Sequence, residues 1–299
     1  MLRIGRQLSL GLAVLLLATA VLAQDAEPKK STKSVIFDFT TTQTSYSDSW
    51  VGGEAGSVNW VANLNAASAK ILSPKVELRS RLKLSFGQTL TQNSNTKRWS
   101  SPQKSTDLID FESVASYSNN WSVSPYVAFR VESQFYDGRL SAKKLSLSPL
   151  KLTESAGATR KFYEKHKNFV TSRLGLGIRQ IITKYITDTV TLSTASETTS
   201  DAGLESVTEA DLPVHKNIRY NGKLSLFKPF TNSKSEALKG TPIENYWKAV
   251  DVNFENGFTA AVTKIITVNL FLQLLYDKEV SLKSRIKETV ALGITLRMI

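Results

Sequence analysis

Apolar and polar residues alternate along most of this chain. In the stretch SVNWVANLNA (57–66), Val58, Trp60 and Leu64 share one face, and asparagines occupy the other face. A period of two predicts β-strands that are apolar on one side. Two environments fit this pattern. One is a half-buried strand whose polar face meets water, and the other is a membrane-barrel strand whose apolar face meets lipid and whose polar face lines a lumen.

Strand length and loop length favour the membrane barrel. Alternation persists over whole segments such as 123–135 and 286–298, whereas soluble strands average about 5–6 residues and membrane-crossing strands need about 9–11. The connections alternate between short turns and long polar loops, which is typical of outer-membrane barrels. The short turns are 72–75, 118–120, 164–168 and the bend at 263–264, and the long loops are 92–105, 137–144 and 189–216.

The alternation indicates eleven strands. They are 34–44, 55–70, 75–90, 106–118, 121–136, 147–162, 168–184, 217–229, 246–261, 264–277 and 284–299. Bacterial barrels normally have an even number, and the strands that flank 185–216 would otherwise run in the same direction. We therefore expect a twelfth strand around 203–214. The predicted fold is all-β: a transmembrane antiparallel up-and-down β-barrel of about 12 strands that occupies 34–299.

The first residues predict an exported protein. Residues 1–23 contain two arginines, an apolar core and a final Val-Leu-Ala motif, which is the pattern of a cleaved signal peptide. Residues 24–33 form a polar segment that we expect to be a short periplasmic lead-in. The 299 residues include no cysteine, which fits a Gram-negative envelope protein better than a disulfide-rich secreted scaffold.

The charge balance indicates an anionic partner. Removal of residues 1–23 takes away two of the 38 basic residues and none of the 26 acidic ones, which leaves a net charge of +10. For an exported protein we expect outer-membrane lipid, including lipopolysaccharide, rather than nucleic acid to supply the opposite charge. No second apolar run reaches the roughly 20 residues of a spanning helix, so membrane insertion requires a closed barrel.

Aromatic residues lie near the ends of several predicted strands. Membrane barrels carry girdles of aromatic residues at both lipid–water interfaces, although aromatic residues are common in every β-protein. The predicted girdle residues are Trp50, Trp60, Trp121, Tyr136, Trp247 and Tyr276.

The polar faces of the predicted strands carry many charged residues. The candidate lumen-lining residues are Arg79, Arg81, Lys83, Arg130, Glu132, Arg173, Arg179, Lys223, Asp251 and Glu255. Two interpretations remain open. The interior is filled by salt bridges and nothing passes, or it is a water-filled passage in which Arg79, Arg81, Lys83 and Arg130 favour anions. A barrel of about twelve strands lies between sealed and open barrels in size, so the strand number does not decide.

The sequence offers little catalytic chemistry. By the strand count, His166 and His215 are expected on opposite rims, where they cannot share a metal ion or a catalytic triad. The acidic residues lack metal-ligand spacing, and Gly175 and Gly177 lie inside a strand rather than in a phosphate loop. We therefore expect no enzyme activity, no metal and no cofactor.

Several segments resemble one family. They are SYSDSWVGGEAGSVNWVANLNA (45–66), NNWSVSPYVAFRVESQFYDG (119–138), LSPLKLTESAGATRKF (147–162), VDVNFENGFTAAVTKIITVNLFLQLLYDKEV (250–280) and RIKETVALGITLRMI (285–299). These segments are similar to a family of Bacteroidota outer-membrane barrels known as a domain of unknown function, the 3078 family. The resemblance implies an outer-membrane barrel, and the activity of the family is not established.

The expected function is a non-enzymatic structural, binding or complex-subunit role in the envelope, with other envelope proteins as further partners. A small channel or transporter for anionic solutes is the alternative, and an outer-membrane hydrolase is third. At the level of the fold, the competing interpretation is a soluble periplasmic β-protein.

Overall fold

The computed structural model describes residues 31–46, 55–118, 121–138, 143–165 and 168–297. The predicted signal peptide (1–23) and most of the predicted lead-in lie outside these ranges. Within them, no helix is both long enough and apolar enough to cross a membrane.

Twelve strands form a closed antiparallel barrel. The barrel strands are β1 (Ser31–Thr44), β2 (Ser57–Ser73), β3 (Val76–Thr91), β4 (Gln103–Tyr117), β5 (Ser124–Ser133), β8 (Leu150–Lys165), β9 (Asn168–Asp188), β10 (Ser193–His215), β11 (Ile218–Asn232), β12 (Asp251–Ala261), β13 (Ile266–Tyr276) and β14 (Arg285–Arg297). Each strand pairs with its neighbours in the order β1-β14-β13-β12-β11-β10-β9-β8-β5-β4-β3-β2, and the first strand closes on the last. Two short strands, β6 (Tyr136–Asp137) and β7 (Leu145–Ser146), pair with each other in the connection between β5 and β8.

The twelve-stranded barrel confirms the predicted fold. The twelfth strand expected around 203–214 is part of β10, but the prediction that most of 189–216 forms a long loop is wrong. Strand β10 begins at Ser193, and only four residues separate it from β9. The alternation is weak here because outward positions such as Ser206 and Thr208 carry hydroxyls instead of aliphatic groups. The strand is held by its neighbours, since β10 pairs with β9 along nearly its whole length and with β11 from Asp201 onward.

The two rims of the barrel differ. The first residue of β1 and the last residue of β14 lie at one rim, here called the terminal rim, together with short turns such as 74–75 and 216–217. The opposite rim, here called the loop rim, carries the connections 45–56, 92–102 and 233–250, among others. A single 3₁₀ turn, Tyr246–Lys248, lies in the last of these connections.

Apolar side chains face outward and charged side chains face inward. Leu176 on β9 is 65% exposed, whereas Arg179 on the opposite face of the same strand is 3% exposed. Ile286, Val290 and Leu292 on β14 are exposed in the same way. A soluble β-protein would bury these aliphatic groups, so the fold is that of an outer-membrane-type barrel, whose outer surface is suited to hydrocarbon.

An arginine in place of Leu176 tests this outward apolar surface. Leu176 lies near the middle of the barrel wall, and a cationic residue at the bilayer midplane costs about 2–4 kcal/mol. We expect Leu176→Arg to lower the free energy of unfolding in lipid vesicles by that amount. Val190→Arg, in the exposed connection between β9 and β10, is the control and should change it little. Equal effects of the two substitutions would contradict the assignment of the outer face to lipid.

Candidate functional site

Three cations of β3, namely Arg79, Arg81 and Lys83, form ion pairs across the barrel interior. Arg79 contacts Glu164 on β8 at 2.6 Å. Arg81 makes two hydrogen bonds, of 2.9 and 3.1 Å, to the carboxylate of Glu209 on β10. None of the strands that carry the acidic partners is next to β3 in the sheet. These ion pairs therefore span the enclosed space rather than follow the wall.

A buried cluster joins the opposite walls at mid-height. Glu112 on β4 accepts a hydrogen bond from Arg173 on β9, and its other oxygen lies 3.2 Å from the Nζ of Lys223 on β11. Lys223 also lies 3.4 Å from Glu209, the partner of Arg81. We call Arg81, Glu112, Arg173, Glu209 and Lys223 the central cluster. Each carboxylate in it has two cationic neighbours, and Glu205, 3.8 Å from Arg173, supplies the third negative charge that balances the three cations.

A second group of pairs continues toward the loop rim on β4, β5 and β8. Arg130 makes a bidentate contact with Asp110, at 2.9 and 3.0 Å, and lies 3.1 Å from Glu132. Glu132 in turn pairs with Lys151 at 3.0 Å. Bidentate guanidinium–carboxylate contacts have a fixed geometry and are strong, so this side of the interior is held rigidly.

Arg179 links β9 to β10 and β12. Its guanidinium lies 2.7 Å from Asp201 and 2.5 Å from Asp251, and it stacks on the ring of Phe227 at 4.4 Å. Asn232 donates a further hydrogen bond of 2.8 Å to Asp201. The arrangement satisfies a charge that is almost completely removed from solvent.

All ten candidate lumen-lining residues take part in these ion pairs. Lys83 completes the set through a contact of 3.1 Å with Glu255 on β12. Sequence reasoning did not single out several partners: Lys151, Lys161, Glu164, Asp201, Glu205 and Glu209. The period-two pattern of β8, with Lys151, Thr153 and Ser155 on one face, contained part of this signal.

Two cavities flank the ion pairs. One, of about 160 Å³, lies toward the loop rim and is lined by residues that include Glu132, Lys151, Arg179 and Asp251. The other, of about 320 Å³, opens at the terminal rim beside Glu77, Lys161 and Glu164. The central cluster lies between these two cavities. It therefore separates them from each other on the side of the barrel formed by β4, β5 and β8 to β11.

The predicted aromatic residues occupy different environments. Trp60 stacks on Phe39 at 6.4 Å, and Phe86 joins this row to Tyr136 at 6.0 Å. Tyr276 ends β13 at the loop rim.

Two further predicted girdle residues, Trp121 and Trp247, do not lie on the outer wall. Trp121, 74% exposed, lies in a turn at the terminal rim, and Trp247 is 9% exposed within the loop 233–250 rather than directed outward. Trp50 lies outside the described residues.

The structure describes one of the two histidines. His215 does not lie in a long loop but ends β10 at the terminal rim. His166 lies outside the described residues, so the expected separation of the two histidines stays a prediction. Among the residues that the structure describes, no three acidic or histidine side chains converge as metal ligands.

One loop acid is expected to titrate near neutral pH. Burial in the connection between β13 and β14, together with the negative charges of Asp201, Asp277 and Asp251, raises the pKa of Glu279 to about 7, against the opposing effect of Arg179. The residue keeps a solvent-exposed surface, so water screens much of the effect.

The raised pKa of Glu279 predicts a pH dependence of stability. The folded state binds more protons than the unfolded state between the ordinary glutamate pKa of 4.5 and about 7, so stability falls as the pH rises through that range. We expect the urea midpoint of the wild type to decrease from pH 5 to pH 8, and the decrease to be smaller in Glu279→Gln. An unchanged profile in Glu279→Gln would show that other groups control the pH response.

The fold and the paired interior define an outer-membrane-type twelve-stranded β-barrel. The family described as "Protein of unknown function (DUF3078)" matches residues 41–138, about a third of the chain. A comparison with curated proteins gave no match.

Solved structures of similar architecture are outer-membrane proteins. The COG4313 outer membrane channel from Pseudomonas putida F1 is 14% identical, with 92% of this chain and 97% of that chain covered and a TM-score of 0.41. The translocator domain of the autotransporter NalP from Neisseria meningitidis is 8% identical, with 98% and 96% covered and a TM-score of 0.34. The NanC porin is 9% identical, with 88% and 97% covered and a TM-score of 0.32. At these identities the likeness concerns the fold alone.

Proposed function

We propose that this protein is an integral barrel of the Gram-negative outer membrane with a non-enzymatic structural, binding or complex-subunit role. The observation that carries the proposal is the pairing of the interior charges across the barrel. Ion pairs that join β3 and β4 to β8, β9, β10, β11 and β12 brace opposite walls against each other. Such bracing suits a rigid support that presents its loops to other envelope components.

The same pairing argues against an anion-selective pore. Arg79, Arg81, Lys83 and Arg130 each face a carboxylate within 3.1 Å. Rings of uncompensated charge give pores their selectivity, and these four cations are compensated. The pairing therefore supports the filled-interior interpretation for the side of the barrel that holds these ion pairs, and it argues against an anion channel lined by these four cations.

The partners follow from the distribution of charge. Because most of the described interior cations are matched by carboxylates, with Arg285 and Lys287 on β14 as exceptions, much of the net positive charge of the chain lies elsewhere. Lys97 and Arg98 in the connection 92–102 at the loop rim are exposed examples. With the loop rim directed outward from the cell, they would meet lipopolysaccharide phosphates, and the loops would meet other envelope proteins.

Ion selectivity in planar bilayers tests this proposal. Across a KCl gradient, we expect any current through the purified protein to reverse near zero potential, because the interior charges are paired. Glu255→Gln leaves Lys83 without its carboxylate and should shift the reversal potential toward that of chloride. Glu288→Gln, on the outward face of β14, is the matched control and should leave it unchanged. An anion-selective current through the wild type would overturn the proposal. Retention in the membrane after a carbonate wash tests the location.

A further inference from the structure

The interior of the barrel is closed on one side and accessible on the other. Most of the buried inward residues, such as Arg130, Arg173, Glu205 and Lys223, belong to β4, β5 and the strands β8 to β11, while Thr40 on β1 and Thr267 on β13 are buried on the other side. In contrast, the inward residues of β2 remain partly exposed from Asn59 to Ala69. The inward residues of β14 likewise stay accessible from Lys287 to Thr295. Since these side chains point away from lipid, the surface that they expose lies inside the barrel.

One ion pair separates the two sides. Lys83 on β3 and Glu255 on β12 meet at 3.1 Å, and the strands between them on the accessible side are β13, β14, β1 and β2. The central cluster and the Arg179 group both lie on the closed side. A lane therefore runs along the wall formed by β13, β14, β1 and β2, with the Lys83–Glu255 pair as its inner boundary.

Amides line this lane. On β2, the side-chain oxygens of Asn59 and Asn63 accept hydrogen bonds from Thr89 and Ser85, at 2.9 and 2.6 Å. Their amide N–H groups have no partner among the described residues, and neither does any side-chain atom of Asn65. The amides of Asn59 and Asn63 are held in place by the neighbouring strand β3. Together with Asn65, they lie on the inward face of β2, beside the accessible space.

Across the lane, the side-chain amides of β13 differ in how many hydrogen bonds they make. Gln273 donates to Asn253 at 3.0 Å, which leaves its oxygen without a partner in the described part of the chain. Asn269 both accepts from Thr259 and donates to Thr267. The lane thus offers free amide donors on β2 and a free amide acceptor on β13.

Small residues and a few charges complete the lane. Small residues form its floor toward the terminal rim: Ala67 and Ala69 on β2 and Ala291 and Gly293 on β14. Its charged groups are the Lys83–Glu255 pair, Asp38 on β1, and Arg285 and Lys287 near the loop rim of β14. Asp38 accepts a hydrogen bond of 2.5 Å from Thr295. Free amide donors and acceptors are complementary to hydroxyl groups.

We propose that this lane, lined by Asn59, Asn63, Asn65 and Gln273, binds small uncharged polyhydroxylated solutes and lets them pass the barrel. The amides replace hydrogen bonds that an uncharged solute gives up with water, whereas an ion would lose part of its hydration beside neutral amides at a larger cost. This role goes beyond the proposed structural one. It depends on the membrane location proposed above, which every sample must therefore show independently.

Swelling of proteoliposomes measures the passage directly. The wild type, reconstituted and shown to be inserted by carbonate resistance and heat-modifiable migration, is diluted into isotonic arabinose, glucose, gluconate, glucosamine or raffinose. We expect swelling with arabinose and glucose, slower swelling with gluconate and glucosamine, and none with raffinose. Ala67→Trp should reduce swelling to the rate of protein-free vesicles. Ala66→Trp places the same ring on the lipid face of the same strand and should retain the wild-type rate.

The chemistry of the lane is tested separately from its width. Asn65→Leu keeps the number and branching of the side-chain heavy atoms but removes the amide, and it should slow glucose more than it slows glycerol. Inserted wild-type protein that gives no glucose swelling would overturn the inference, and so would glucose swelling that persists in an inserted Ala67→Trp variant. Gluconate passing as fast as glucose would overturn the neutral-solute assignment. Failure of insertion would instead count against the proposed membrane location.

Discussion

Replacing Glu112 with alanine is expected to lower the free energy of unfolding by about 3–5 kcal/mol, the range for removal of one partner from a buried ion pair. Glu112 is 5% exposed and contacts both Arg173 and Lys223. Its loss leaves two cations in a dry interior with fewer carboxylates than they need. Unfolding by urea in lipid vesicles, followed by tryptophan fluorescence, measures the change.

The control for Glu112 is an acid of the same chemistry at the open end of the interior. Glu164 contacts Arg79 and Lys161 but is well exposed, and Arg79 keeps a second partner in Glu77. Glu164→Ala should therefore cost no more than about 1 kcal/mol, as exposed pairs do.

A quadruple variant separates the charge effect from the packing effect. Replacing Glu112, Arg173, Glu205 and Lys223 together with methionine should restore much of the stability lost in Glu112→Ala. Two cations and two carboxylates are then removed together, and Arg81 keeps its partner Glu209. Similar costs for Glu112→Ala and Glu164→Ala would show that water reaches the central cluster.

The barrel wall could be predicted because contact with lipid favours apolar side chains at every second position of a strand. Strand β13 follows this rule along its whole length and β14 departs from it at Glu288, with Leu270, Leu272, Val290 and Leu292 outward. This preference for apolar outward residues is weaker where a strand extends past its neighbours. Residues 183–200 of the β9–β10 hairpin lie beyond the paired wall, and there the alternation gave no strand.

The pairing of the interior could not be predicted from the alternation. Alternation places Arg81 and Lys83 on the polar face of β3, but it does not say which acid each will meet. Arg81 and Glu209 lie 128 positions apart in sequence and on strands that are not neighbours in the sheet. Their contact depends on how the closed sheet curves and staggers its strands, and that geometry belongs to the whole barrel.

The second large effect is expected from a single methyl group at Gly175. This glycine lies opposite Gly157 in the β8–β9 pair, and Gly157 in turn lies opposite Tyr126 on β5. A Cβ atom at Gly175 would lie 2.6 Å from the hydroxyl of Tyr126 and closer still to the carbonyl oxygen of Ala156. The second contact is with backbone, so no side-chain rotation relieves it.

Gly175→Ala should therefore destabilise the barrel by about 3 kcal/mol or more, at or above the upper end of the usual cost of overpacking. Gly257→Ala on β12 is the matched control, because its Cβ would meet only the backbone oxygen of Asn221 at 3.6 Å, an ordinary contact. Tyr126→Ala combined with Gly175→Ala should recover little, since the clash with Ala156 persists. Equal unfolding midpoints for the two glycine variants would mean that β8 and β9 can separate locally without loosening the wall. Such local separation would contradict the rigid support inferred from the ion pairs that Arg173 and Arg179 make from β9.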